Sequence, residues 1–119
     1  MEIKIHQING INIAIITSNK IIIKETQDAL DIMANSSYQG STKIVLYENN
    51  IIPDFFDLKT GIAGDLLQKF STYDFQLAIV GDFSKYSSKS LKDFIYESNK
   101  LGRINFVSSL EDAKEKLTK

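Results

Sequence analysis

Apolar and polar residues alternate strictly at the start of the chain. Ile3 and Ile5 stand against Glu2, Lys4 and His6, and a period of two predicts a half-buried strand over residues 2–8. Asn9-Gly10 follows, a pair that tolerates the positive φ of a tight reversal, so residues 11–17 are predicted to return as the second arm of a hairpin. That arm is more continuously apolar and therefore more central. After the polar break Ser18-Asn19-Lys20 and a short apolar segment at 21–23, the period changes. Thr26 is placed to cap a helix with Ala29, Leu30, Met33 and Ser37 inward, Ile32 widening the stripe and Gly40 ending it.

The same alternation of patterns continues to the end. Residues 43–47 form a short apolar strand, and Asn49-Asn50, Pro53, Phe55 and Phe56 mark an irregular connection. Ile62, Leu66, Leu67 and Phe70 recur at helical spacing, predicting a helix from about residue 60 to 72. A buried-type strand at 76–80 stops at Gly81-Asp82. Ser87 or Ser88 then caps a helix carrying Leu91, Phe94, Ile95 and Ser98 on one face, closed by Leu101-Gly102. Residues 103–107 form the last strand. Ser109 caps a last helix containing Leu110, Ala113 and Leu117, with Glu111 and Asp112 at its favourable N-terminal end.

The order β-β-α-β-α-β-α-β-α predicts a single α/β domain spanning residues 1–119, with right-handed crossovers, a mostly parallel mixed sheet and an antiparallel N-terminal hairpin. Ile13, Ile15, Val45, Ile79, Val80, Ile104 and Phe106 are the expected core of the sheet, covered by Leu30, Met33, Leu66, Phe70, Leu91 and Phe94 from the helices.

Composition narrows the chemistry. The 119 residues carry 14 basic and 15 acidic side chains, and 43% are hydrophobic, values of an ordinary globular domain. The absence of cysteine removes disulfides, thiolate metal sites and thiol catalysis, and fits a reducing compartment. Apolar runs such as 13–16 fall far short of the ~20 residues of a membrane span, and residues 1–4 do not open an export leader. A cytoplasmic protein without membrane contact is expected. A pI of about 5.8 and a single arginine argue against nucleic acid as the main partner.

His6 is the only histidine, so no histidine metal cluster or His–Ser pair can form within one chain, and its alternating position reads as a solvated strand residue. Neither a G-x-G-x-x-G loop nor a Walker-type lysine loop is present, and nothing points to a cofactor or a tightly held metal. Two segments carry the candidate site. Thr60, before Gly61 and an apolar-periodic helix, reads either as a plain cap or as an exposed hydroxyl whose phosphorylation would bring about −2 of charge to a docking surface. Gly81, Asp82 and Ser84 follow a central-type strand, where open α/β sheets bind their ligands; Asp82 either forms a turn or orients a ligand.

Taken together, the order of elements resembles the STAS, or SpoIIAA-like, fold of anti-sigma factor antagonists. Phe56-Asp57-Leu58-Lys59-Thr60-Gly61-Ile62 is similar to that family's diagnostic segment, with Thr60 on the phosphoacceptor position and Gly61 on the glycine that follows it. The spacing departs from the usual Asp-Ser-Ser-Gly form by one extra residue, and Lys59 replaces a small one. Residues 101–107 and 109–113 resemble the family's last strand and acidic, alanine-containing helix. From Phe55 through Asn99 the chain further resembles a bacterial family called domain of unknown function 4180, notably in Leu77-Ala78-Ile79-Val80-Gly81-Asp82-Phe83. The resemblance implies a regulatory module that binds a protein partner, and the loop carrying Asp57, Lys59, Thr60 and Gly61 is expected side by side with the loop carrying Gly81, Asp82 and Ser84 at one end of the sheet. The competing expectation is a small-molecule binder or enzyme using Asp57, Lys59, Asp82 and Ser84 around one pocket.

Overall fold

A computed structural model describes residues 1–119. The five strands β1 (Glu2–Ile8), β2 (Ile11–Thr17), β3 (Lys43–Tyr47), β4 (Gln76–Val80) and β5 (Ile104–Val107) lie side by side in sequence order. β1 and β2 are antiparallel, with Ile8 opposite Ile11, so the hairpin turn is only Asn9-Gly10, both at positive φ. All later pairings are parallel.

Helices α1 (Thr26–Tyr38), α2 (Ile62–Thr72) and α3 (Lys89–Leu101) connect successive parallel strands. Because the strand order never reverses, right-handed crossovers put all three on the same face. Ala29, Ile32, Met33, Ala63, Leu66, Phe70 and Leu91 pack there on Ala14, Ile16, Ile44, Leu46, Leu77, Ile79, Ile104 and Phe106. The last helix, α4 (Leu110–Leu117), follows the final strand and covers the opposite face. There Ala113 and Leu117 meet Ile13, Ile15, Val45, Ala78, Val80 and Val107. The expected core residues are thus divided by the pleat between two hydrophobic layers, and Leu30 and Phe94 are only partly buried.

Two local readings need correction. In α1 the buried hydroxyl is Ser36 and Ser37 faces solvent, a rotation of one residue that follows from Ile32 rather than Leu30 lying at the centre of the buried stripe. Thr26 is the first helical residue, not the cap; the Asp28 carboxylate reaches back to accept from the Lys24 and Glu25 amides. Elsewhere Ser88 and Ser109 cap α3 and α4 by accepting from Leu91 and Asp112 amides.

Buried polar groups lock the connections. Asn50, 1% exposed, donates to the carbonyls of Ser18 and Lys20 and accepts from the Tyr47 amide. It thereby ties the 18–23 segment to the end of β3, where Ile23 forms a parallel bridge with Ile51. On the outer edge of β5, Ser98 donates to the Ile104 carbonyl at 2.6 Å, and the Asn99 amide both accepts from Phe106 N–H at 2.7 Å and donates to its carbonyl at 3.3 Å. Helix α3 thus supplies the partners a sixth strand would have provided.

Truncating the fully buried Ile79 to alanine is expected to cost about 2–5 kcal/mol, because the cavity left between β4 and the helices collapses only in part. Asn50→Ala should cost about 1–3 kcal/mol by stranding buried carbonyls. Urea denaturation midpoints at a fixed slope measure both.

Candidate functional site

The C-terminal ends of the parallel strands gather most of the polar side chains singled out above. Leaving β3, the chain makes three short 3-10 turns, Glu48–Asn50, Pro53–Phe56 and Leu58–Thr60, before α2 begins. Phe55 and Phe56 are buried and meet edge to face at 4.8 Å, anchoring the middle of this connection in the core. The polar residues that follow are left outside: Asp57, Lys59, Thr60 and Gly61 hold the exposed stretch between Phe56 and the buried Ala63.

The helix start differs from the sequence expectation. Thr60 ends a 3-10 turn, and α2 begins at Ile62 behind Gly61, whose φ of 81° is the left-handed conformation a side chain disfavours. The exposed Thr60 hydroxyl has Asp54 O at 2.7 Å and Asp57 O at 2.9 Å as acceptors, and it lies 3.4 Å from the Ile62 amide. It therefore acts chiefly as a donor that folds the turns against one another and only weakly as a cap. The Asp57 carboxylate accepts from the Lys59 amide at 3.3 Å.

The second loop, after β4, is held by a residue that sequence reasoning missed. Glu48, at the end of β3 with its side chain 15% exposed, accepts from the Tyr86 hydroxyl at 2.5 Å and pairs with the Lys85 ammonium at 2.8 Å. Gly81 is required by this carboxylate: a Cβ there would stand 2.7 Å from both Cβ and Oε1 of Glu48. Burial, then the hydrogen bond to Glu48, then that carboxylate's charge push the Tyr86 phenol well above its ordinary range. The Tyr86 ring stacks on Phe56 at 5.0 Å with a 12° interplanar angle, which joins the two loops through an aromatic contact. Only the Gly at a strand end hinted at a close neighbour, and nothing in the spacing of residues 48, 81 and 86 identified it.

Gly81, Asp82 and Ser84 line a cleft of about 720 Å³ with Phe83, Ile95, Phe106 and Val107 and, from α4, Asp112, Glu115 and Lys116. Asp57, Lys59, Thr60 and Gly61 are not among its lining residues. The cleft lies at the C-terminal ends of β4 and β5, where the chain leaves β4 for α3 on one face of the sheet and β5 for α4 on the other. Asp82 Oδ1 accepts from the Ser84 hydroxyl at 2.6 Å and the Ser84 amide at 3.1 Å, and these two bonds hold its carboxyl below the usual aspartate range. His6 lies on exposed β1, and no group of three or more His, Asp or Glu side chains is arranged to hold a metal ion. No helix is long and apolar enough to cross a membrane.

Three outcomes are expected. Gly81→Ala should destabilise the fold by about 1–3 kcal/mol, read as a lower denaturation midpoint, because the new methyl must displace Glu48. Tyr86→Phe should remove the last phenol step from an alkaline absorbance titration. Since the folded pKa is raised, the Tyr86 contribution is intact below about pH 10 and is lost as pH climbs further. For Asp82 the sign is opposite: the Ser84 turn is intact above about pH 4 and released as pH falls through the depressed value. Ser84→Ala should move the Asp82 carboxyl step upward in a carbon-detected NMR titration.

A family model for a domain of unknown function, DUF4180, matches residues 8–117. No curated protein matches the sequence. Among solved structures, a Thermotoga maritima protein provisionally described as an anti-sigma factor antagonist is similar over 98% of this chain and 95% of that one, at 14% identity and a TM-score of 0.52. At that identity the likeness shows the fold. The chain belongs to the DUF4180 family, a family of domains of unknown function, and has a STAS-like α/β fold.

Proposed function

We propose that this chain is a regulatory module that binds a protein partner, with the 57–61 loop as its contact segment and Thr60 as its point of control. The observation that carries the reading is the setting of Thr60: exposed on a loop whose two flanks, Phe56 and Ala63, are fixed in the core. Such a loop presents one geometry to a partner at little entropic cost. The description of the Thermotoga maritima neighbour as an anti-sigma factor antagonist supports a protein, rather than a metabolite, as the ligand.

The chemistry of control follows from the hydrogen bonds. Transfer of a phosphoryl group from a nucleoside triphosphate to Thr60 Oγ1 breaks the donor's terminal P–O bond, releases the nucleoside diphosphate and removes the hydroxyl proton, so the bonds to the Asp54 and Asp57 carbonyls are lost. The added charge of about −2 then stands against the Asp54 and Asp57 carbonyls, which opens the 3-10 turns. Lys59 and the first amides of α2 draw the same group the other way. The loop therefore has two arrangements separated by one modification, while the core beneath it stays in place. Gly61 leaves the backbone beside Thr60 uncovered, with no atom within 4 Å of where a Cβ would stand.

Cytoplasmic extract of the host, passed over immobilised wild type, Thr60→Ala and Thr60→Asp chains, tests the proposal. Thr60→Ala should lower stability by about 1 kcal/mol and retain the partner; Thr60→Asp should fold and change partner retention at least tenfold. Equal retention by all three chains would sink the role of Thr60.

A further inference from the structure

The cleft at the ends of β4 and β5 includes none of the residues of the 57–61 loop and has a chemistry of its own. Its floor is aromatic and aliphatic: Phe106 and Phe83 meet edge to face at 5.2 Å, with Ile95 and Val107 beside them. Its rim carries three carboxylates, Asp82, Asp112 and Glu115, against one ammonium, Lys116. Two other nearby cations have ion-pair partners of their own. Lys85 is held by Glu48 at 2.8 Å, and Lys114 leans on Glu111 at 3.7 Å. Glu115 is partly neutralised by Lys119 at 3.6 Å, which leaves Asp82 and Asp112 as the two carboxylates without an ion-pair partner. Each is oriented by one serine on one oxygen, Ser84 on Asp82 Oδ1 and Ser108 on Asp112 Oδ2 at 3.1 Å, and each leaves its other oxygen free.

We propose that this cleft seats an arginine side chain presented by a protein partner. A guanidinium offers carboxylate oxygens several donors in a planar fork and packs on aromatic side chains, while its methylenes cover apolar floor. An anion is excluded by charge, since Glu111 and Asp112 already occupy the first turn of α4 and answer its positive end. A free metabolite is disfavoured by shape. Asp82, Ser84, Ser108 and Asp112 all face solvent, so the cleft cannot enclose most of a small ligand, and its occupant must be held by a larger surface. The inference shares with the proposed function only the premise that the ligand is a protein, and it involves none of the residues 57–61.

The test is an amide NMR titration of the full chain with two blocked tripeptides, acetyl-Leu-Arg-Leu-amide and its citrulline counterpart, and with agmatine as a free cation. The arginine peptide should give saturable shifts centred on Gly81, Ser84, Val107 and Ser108, weakened by added salt. Asp82→Asn and Asp112→Asn should each weaken binding about three- to fivefold, as exposed charge pairs do. Lys116→Glu should tighten it by a similar factor, a gain that misfolding cannot produce. Thr60→Asp should leave it unchanged, which separates failure here from failure of the Thr60 reading. Equal binding of the citrulline peptide, shifts scattered over other acidic sites, or agmatine binding as tightly as the peptide would each overturn the proposal.

Discussion

The strands of this sheet are laid down in the order in which they are made, and every parallel crossover has the same hand. That constraint decides the rest of the architecture. Three consecutive right-handed crossovers send α1, α2 and α3 to one face, which leaves the other to whatever follows the last strand. Only α4 follows, and its eight residues bury Ala113 and Leu117 there. Because the order never doubles back, no crevice opens between neighbouring strands in the middle of the sheet. The concavity forms instead where α3 and α4, on opposite faces, diverge around the end of β5. That is why Phe106 and Val107, which point to opposite sides, line the same cleft.

A single carboxylate organises the strand ends between the two loops. Glu48 stands where an added methyl on the β4 loop would have to go, and its partners Lys85 and Tyr86 belong to that loop. The Tyr86 ring in turn lies on Phe56, the anchor of the exposed 57–61 loop. Charge burial here costs free energy, offset by a neutral hydroxyl donor and an ammonium rather than by one ion pair alone. The result is a fixed spacing between a loop that carries the exposed Thr60 hydroxyl and a loop that borders the acidic cleft.

Most element positions were legible because their periods were clean and their ends were punctuated. The 76–80 strand, the Ser88 and Ser109 caps and the Asn9-Gly10 turn all lie where the pattern puts them. The start of α2 was less legible, because Thr60 and Gly61 satisfy two local rules at once. Threonine suits a cap, yet a left-handed Gly61 interrupts the helix and turns the hydroxyl back toward Asp54. The division of the core into two layers required strand order, which no local pattern carries. Of the candidate residues, Gly81, Asp82 and Ser84 share a cleft, whereas Asp57, Lys59, Thr60 and Gly61 occupy a different surface. Asp112, Glu115 and Lys116 were invisible as cleft residues, since a charged stripe on a short helix ordinarily faces water.

The amide of Asn99 and the hydroxyl of Ser98 occupy the Ile104 carbonyl and both backbone groups of Phe106 on the outward side of β5. A sheet closed in this way at one border and open at the other is vectorial. Recruitment of an extended segment from another chain by backbone pairing is favoured beside β1, the strand richest in exposed alternating charge, while the β5 border meets its surroundings mainly through side chains.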